Sequence, residues 1–121
     1  MSFSVLMVVG DRKGRVGVGL GKATDVTSAM RKASSYAQRH LITVPMRGST
    51  IPHEIRVKVG AARIIIKPAP AGTGVIAGGA VRAVVEAAGI RDIVSKILGT
   101  KNRASNVHAT FEALKQLRQI V

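Results

Sequence analysis

The 121 residues contain no cysteine and no tryptophan. Without cysteine there is no disulfide and no thiolate metal site, which fits a reducing compartment. Aromatic rings are scarce: Phe3, Tyr36 and Phe111 are the whole supply. A platform that stacks unpaired bases needs more exposed rings than that. Acids are scarce too, with six Asp and Glu against nineteen Lys and Arg. The three histidines, His40, His53 and His108, are scattered, and Glu54 is the only acid beside one. His53 and Glu54 read as polar residues at the start of a strand. Neither a zinc-ligand spacing nor a G-x-S-x-G serine motif occurs, so no catalytic or metal site is expected. No apolar run approaches the roughly twenty residues that span a bilayer. Nor does a basic N-terminal region precede an apolar core, as a signal peptide requires. An intracellular soluble protein without metal or cofactor is expected.

What is present is charge of one sign on a foldable chain. An apolar content of 46% excludes a disordered basic tail. The length suits one domain or two very small lobes. A net charge of +13 with a pI near 11.6 repels itself unless a polyanion offsets it. Nucleic acid is the natural polyanion. A membrane surface is the rival, yet ten cations fall in the first sixty residues and nine in the remainder. They do not gather on one amphipathic helix. With few rings, the charge suits phosphates and the shape of structured RNA.

The stretch Lys67 to Arg82, KPAPAGTGVIAGGAVR, organises the second half. Pro68 and Pro70 stiffen the exit from an apolar run. Beyond the loop, Val81, Val84, Val85 and Ala88 recur at helical spacing, so the loop feeds a helix N-terminus whose free amides favour an anion. Three readings compete. Gly72 to Ala77 matches the dinucleotide pattern G-x-G-x-x-[GA], with Asp92 twenty residues beyond Gly72. That fingerprint places glycine at the strand end and the acid at the end of the next strand, and here neither holds. A glycine-rich connector that binds nothing is the second reading. Contact with RNA phosphate or a neighbouring protein is the third, and the rest of the chain favours it. Nor is GVGLGKA, Gly17 to Ala23, a phosphate-binding P-loop, because its glycine spacing and the residue after Lys22 are wrong.

Taken in order, Phe3 to Val9 and Arg15 to Leu20 read as a hairpin around Asp11-Arg12-Lys13-Gly14. Gly17, Gly19 and Gly21 bare one face of the second strand, open to backbone or RNA. Thr24 or Asp25 caps a helix to about His40. Its apolar stripe is Val26, Ala29, Met30, Ala33 and Ala37, with Arg31, Lys32, Arg39 and His40 elsewhere. Leu41 to Met46 is extended, and Pro45, Arg47, Gly48 and Ser49 form a joint. A strand from Ile51 to Val59 turns at Gly60-Ala61 into Arg63 to Lys67, whose continuous isoleucines predict cover on both faces. Gly89 closes the helix after the central loop. A strand from Asp92 to Leu98, a polar loop from Gly99 to Ser105 and a helix through Leu117 follow. Val107, Phe111, Leu114 and Leu117 or Arg118 mark that helix's core side.

Phe3-Ser4, Val8 to Asp11, Gly14 to Gly17 and Gly21-Lys22-Ala23 resemble the first lobe of the family of the fifth protein of the bacterial small ribosomal subunit. The second lobe is similar over a longer run: Ile51 to Ile55, Lys67-Pro68-Ala69, and Gly72 to Val84. The resemblance covers essentially the whole chain. Two local departures stand out. Asn102-Arg103-Ala104-Ser105 replaces the usual Asn-Pro-x-Asn, and Leu20 stands where an aromatic is common. Family members also carry a first strand and a basic loop before the position of Phe3. That loop's role is not carried over, and the first sheet is expected to keep an unsatisfied edge.

The resemblance implies an α+β fold: a double-stranded-RNA-binding-like lobe over 1–46 and a second α+β lobe over 47–121, with strands backed by two helices. It also implies a left-handed βαβ crossover, where pattern alone gives the right-handed one. The implied partners are small-subunit rRNA, small-subunit proteins four and eight, and mRNA near its entrance, with no membrane and no homo-oligomer. Roles in assembly and decoding accuracy, on a bacterial cytoplasmic or organellar ribosome, come with it. The residues expected to hold phosphates are Arg12, Lys13, Arg15 and Lys22 from the first lobe. From the second they are Lys67, the amides around Gly72, Thr73 and Gly74, and Lys101 and Arg103. The alternative is a small-molecule kinase or nucleotide-binding protein using the same loop. It lacks any acid between Glu54 and Glu86 to hold magnesium.

Overall fold

A computed structural model describes residues 2–117. The chain opens with β1 (Phe3–Gly10) and β2 (Arg15–Ala23), then α1 (Val26–Arg39) and β3 (Ile42–Thr43). β4 (Ile55–Val59), β5 (Ala62–Pro68), β6 (Val75–Ile76), α2 (Gly79–Ala88), β7 (Ile93–Gly99) and α3 (Arg103–Gln116) follow. They form two sheets, β1-β2-β3 and β4-β5-β7-β6. All pairings are antiparallel except β6 with β7, a parallel pair bridged by α2. The mixed α+β architecture with two helix-backed sheets agrees with expectation.

The first hairpin is closed by Asp11, whose carboxylate accepts the Lys13 amide at 2.7 Å and the Arg15 amide at 3.0 Å. β2 then meets α1 with almost nothing between them. A β-carbon on Gly17, Gly19 or Gly21 would overlap the carbonyl oxygen of Ala37, Ala33 or Ala29 respectively. Two strand residues advance about 7 Å and four helix residues about 6 Å, so the glycine and alanine series stay nearly in step. The bare strand face is thus taken by the chain's own helix. Such close approach also corrects the helix stripe: Ala29, Ala33 and Ala37 are buried, while Val26 is 47% and Met30 44% exposed. Only alanine fits at the seam, and the larger side chains turn outward.

Asp25 caps α1, accepting the Ser28 amide at 2.7 Å. α2 ends at Gly89 in the left-handed conformation, φ 91°, which a residue with a β-carbon adopts reluctantly. Its buried Val81, Val84 and Val85 pack with Leu114 of α3 and with Ile64 and Ile66 of β5. Full burial of each such side chain contributes about 1.5–3 kcal/mol. Val16, Val18 and Val44 belong to the same cluster, so both sheets share one core.

Four further expectations change. The strand foreseen from Ile51 starts only at Ile55, because Pro52 offers no ladder donor. Cover on both faces of the Ile64-Ile65-Ile66 run fails: Ile64 and Ile66 are buried, whereas Ile65 on the outer face is half-buried. α3 begins inside the expected polar loop, since Asn102 accepts the Ser105 amide at 3.0 Å and starts the helix at Arg103. The central loop contains the short strand β6, pairing Val75 with Ile93 and Ile76 with Val94. Arg118, one of two candidates for the last core position, lies outside the described residues.

Candidate RNA interface

Every Lys and Arg among the described residues is exposed. Of the six acids only Asp92 is buried, but all three aspartates spend their carboxylates on the backbone. Asp11 and Asp25 bind backbone amides of their own turns, and Asp92, only 5% exposed, does the same at longer range. The outer surface therefore has far more positive charge than its few carboxylates answer.

Asp92 determines what the central loop can do. One carboxylate oxygen accepts the amides of Gly72 at 3.1 Å and Gly74 at 2.9 Å, while the other accepts the Ser49 hydroxyl. The Thr73 amide and hydroxyl both donate to the Pro70 carbonyl, at 3.1 and 2.7 Å. These bonds, the Ser49 hydroxyl foremost and then the Gly74 amide, hold Asp92 below the ordinary carboxylate pKa despite its burial. The amides expected to meet phosphate from Gly72, Thr73 and Gly74 are thus already taken. The loop folds around an anion, and that anion is its own. The same bonds occupy the acid that the dinucleotide pattern assigned to a ribose.

Cationic side chains from the expected set fall in five places. Arg12 and Lys13 line a cleft of about 680 Å³ with Met46, Gly89, Glu86 and Arg91. Their turn docks on the C-terminus of α2: the Arg12 amide donates to Ala87 at 3.0 Å and the Gly14 amide to Ala88 at 2.8 Å. Arg12 adopts φ 60° there, in the left-handed region unusual for a side-chain-bearing residue. Arg15 is exposed at the start of β2. Lys22 borders a groove of about 390 Å³ with Arg31, Lys32 and Arg39, and its carbonyl accepts the Lys32 ammonium at 3.3 Å. Lys101 and Arg103 flank a cleft of about 480 Å³ beside Gly79, at the first turn of α2. That turn carries no side-chain cap. Lys67 stands apart on β5, 3.6 Å from Glu54.

Arg91 was missed by sequence reasoning. It joins Arg12 and Lys13 only because the hairpin turn docks on α2, a long-range contact without a local signature. The cations on α1 were visible but indistinguishable from a solvated helix face. Among the described residues no group of His, Asp and Glu could hold a metal ion, and no helix is long and apolar enough to cross a membrane.

Two helix-backed sheets with one core and a cationic coat define a small basic α+β protein of the kind that binds a polyanion. Residues 1–45 match the model for the ribosomal protein S5 N-terminal domain, and 57–121 that for its C-terminal domain. The chain belongs to the ribosomal protein S5 family. It is 54% identical over 116 residues to the small ribosomal subunit protein uS5 of Thermus thermophilus, covering 96% of this chain and 72% of that protein. The uS5 of Syntrophobacter fumaroxidans is 53% identical over 119 residues, covering 98% of this chain and 72% of the relative.

Proposed function

We propose that this chain is a non-catalytic structural constituent of the small ribosomal subunit that binds small-subunit rRNA and neighbouring ribosomal proteins. The observation that carries the reading is the division of charge: cations stand outside, while Asp11, Asp25 and Asp92 turn to the backbone. Arg12, Lys13, Arg15 and Lys22 hold phosphates from a first lobe, residues 1–46. Lys101 and Arg103 do so from a second lobe, residues 47–121, with a smaller share from Lys67, which Glu54 competes for. Gly72, Thr73 and Gly74 contribute loop shape at a protein contact, since their amides are occupied.

The finer assignment places the protein beside small-subunit proteins four and eight near the mRNA entrance, on a cytoplasmic or organellar ribosome, where it supports assembly and decoding accuracy. Self-repulsion at +13 favours association with RNA over homo-oligomers. Equilibrium binding to folded small-subunit RNA across a salt series tests the reading. Neutralising about eight phosphates gives a log–log slope of roughly −6 to −7. A slope shallower than about −2, or micromolar ATP binding that survives high salt, overturns it.

A further inference from the structure

The second sheet is backed by helices on one face only, and its other face is strongly basic. The register sets its composition. Lys58 lies directly opposite Arg63, Arg63 opposite Leu98, and Ile65 between Arg56 and Lys96. Directly opposed residues share a face, so these side chains stand together, away from the buried Val57, Ile64 and Ile66. Lys58 and Arg63 are like charges at the closest cross-strand position, an arrangement that destabilises an isolated sheet. Glu54 reaches Arg56 at 3.9 Å and Lys67 at 3.6 Å, at one end of the face. Lys58, Arg63 and Lys96 have no ion-pair partner among the described residues. Between the cations, half-buried Ile65 and Leu98 help floor a shallow groove of about 260 Å³.

We propose that the outer face of β4, β5 and β7 is a second docking surface for the phosphate backbone of folded RNA, with Lys58, Arg63 and Lys96 as its phosphate contacts. The proposal rests on the ribosomal reading and adds three contacts outside the phosphate set assigned above, which touches this face only through Lys67 at its end. Three features select RNA as the occupant. Lys58 and Arg63 stand directly opposed, about 5 Å apart, and Lys96 lies diagonal to Arg63 at about 7–8 Å, a staggered row that suits a repeating anion. The face bears no aromatic ring, so it offers contacts to phosphate and sugar and no stacking surface for bases. Arg63 occupies an inner strand of the sheet, whereas a protein interface centres on apolar residues and leaves charge at its rim. Ile65 and Leu98 would lie under ribose.

The test uses the full chain and folded small-subunit RNA. In the triple variant Lys58→Thr, Arg63→Thr and Lys96→Thr, the salt slope should become shallower by about three, one for each lost phosphate contact. Affinity at moderate salt should fall by more than about tenfold. Without RNA the variant should melt no lower than wild type, because the opposed like charges are gone. The charge-keeping variant Lys58→Arg, Arg63→Lys and Lys96→Arg should retain the wild-type slope, separating loss of charge from loss of fold. If the threonine variant binds RNA as wild type does while Arg12→Ala with Lys13→Ala weakens binding, the second surface is refuted and the ribosomal reading stands. Unchanged RNA binding with lost affinity for a purified small-subunit protein assigns the face to protein and likewise refutes it. Failure of wild type to bind the RNA refutes both.

Discussion

Gly10 and Ala87 lie so close that a β-carbon on the glycine would overlap the alanine carbonyl oxygen. That carbonyl also accepts the Arg12 amide, and Gly89, just beyond, lies equally close to the Arg12 carbonyl. Glycine on both sides lets the end of β1 and the end of α2 touch backbone to backbone. Replacing Gly10 by valine should lower the urea midpoint sharply, with a loss above about 3 kcal/mol, because neither backbone can retreat. An unchanged midpoint would contradict this account of the joint.

A paired comparison separates crowding from backbone strain. Gly19→Ala pushes a methyl into the Ala33 carbonyl and should cost more than about 3 kcal/mol. Gly48 has φ 64° with nothing within 4 Å of a built β-carbon, so Gly48→Ala should cost only about 1 kcal/mol. Equal losses in denaturant titrations would remove the crowding argument for the β2–α1 seam.

Asp92 predicts an acid-sensitive loop. Its folded pKa lies below the ordinary 3.8, so its stabilising effect is complete at neutral pH. That effect declines as the pH drops towards 3.8 and is lost as the pH falls through the folded value. Asp92→Asn should flatten the acid limb of stability against pH and lower the melting temperature by several degrees at pH 7. Amide exchange at Gly72 and Gly74 should accelerate selectively. Asp11 and Asp25, lowered chiefly by the amides of Lys13 and Ser28, add the same sign.

The cations should not count equally towards RNA affinity. Arg12→Ala with Lys13→Ala is expected to make the salt slope shallower by about two. Lys67→Ala should change it by less than about one, since Glu54 already draws that ammonium. Slopes from fluorescence anisotropy on the two variants decide the order. The reverse ranking would move the first-lobe contacts elsewhere.

Local signals carried much of the fold. Thr24 or Asp25, of which Asp25 is the cap, and Gly89 announced helix ends through chemistry that acts within one turn, and the hairpin, β7 and the final helix followed their apolar spacing. The misses share a non-local cause. Nothing near Gly72 reveals that Asp92 occupies its amide, and nothing near Met30 reveals that glycines on β2 draw α1 too close for it. The side of the sheet left open around Ile65 depends on where two distant helices pack. As for the candidate site, residue types were readable as cations, but which of them would stand together was not, because the docking of the Arg12 turn on α2 decides it.

The glycine–alanine seam has a further consequence. With backbone resting on backbone, α1 has no cushion of large side chains on which to slide over β2. The charges rooted on that helix and strand, Lys22, Arg31, Lys32 and Arg39 among them, then form a stencil whose pitch is set during folding. If RNA binds there as proposed, the scaffold need not be frozen again, and more of each phosphate contact would appear as affinity.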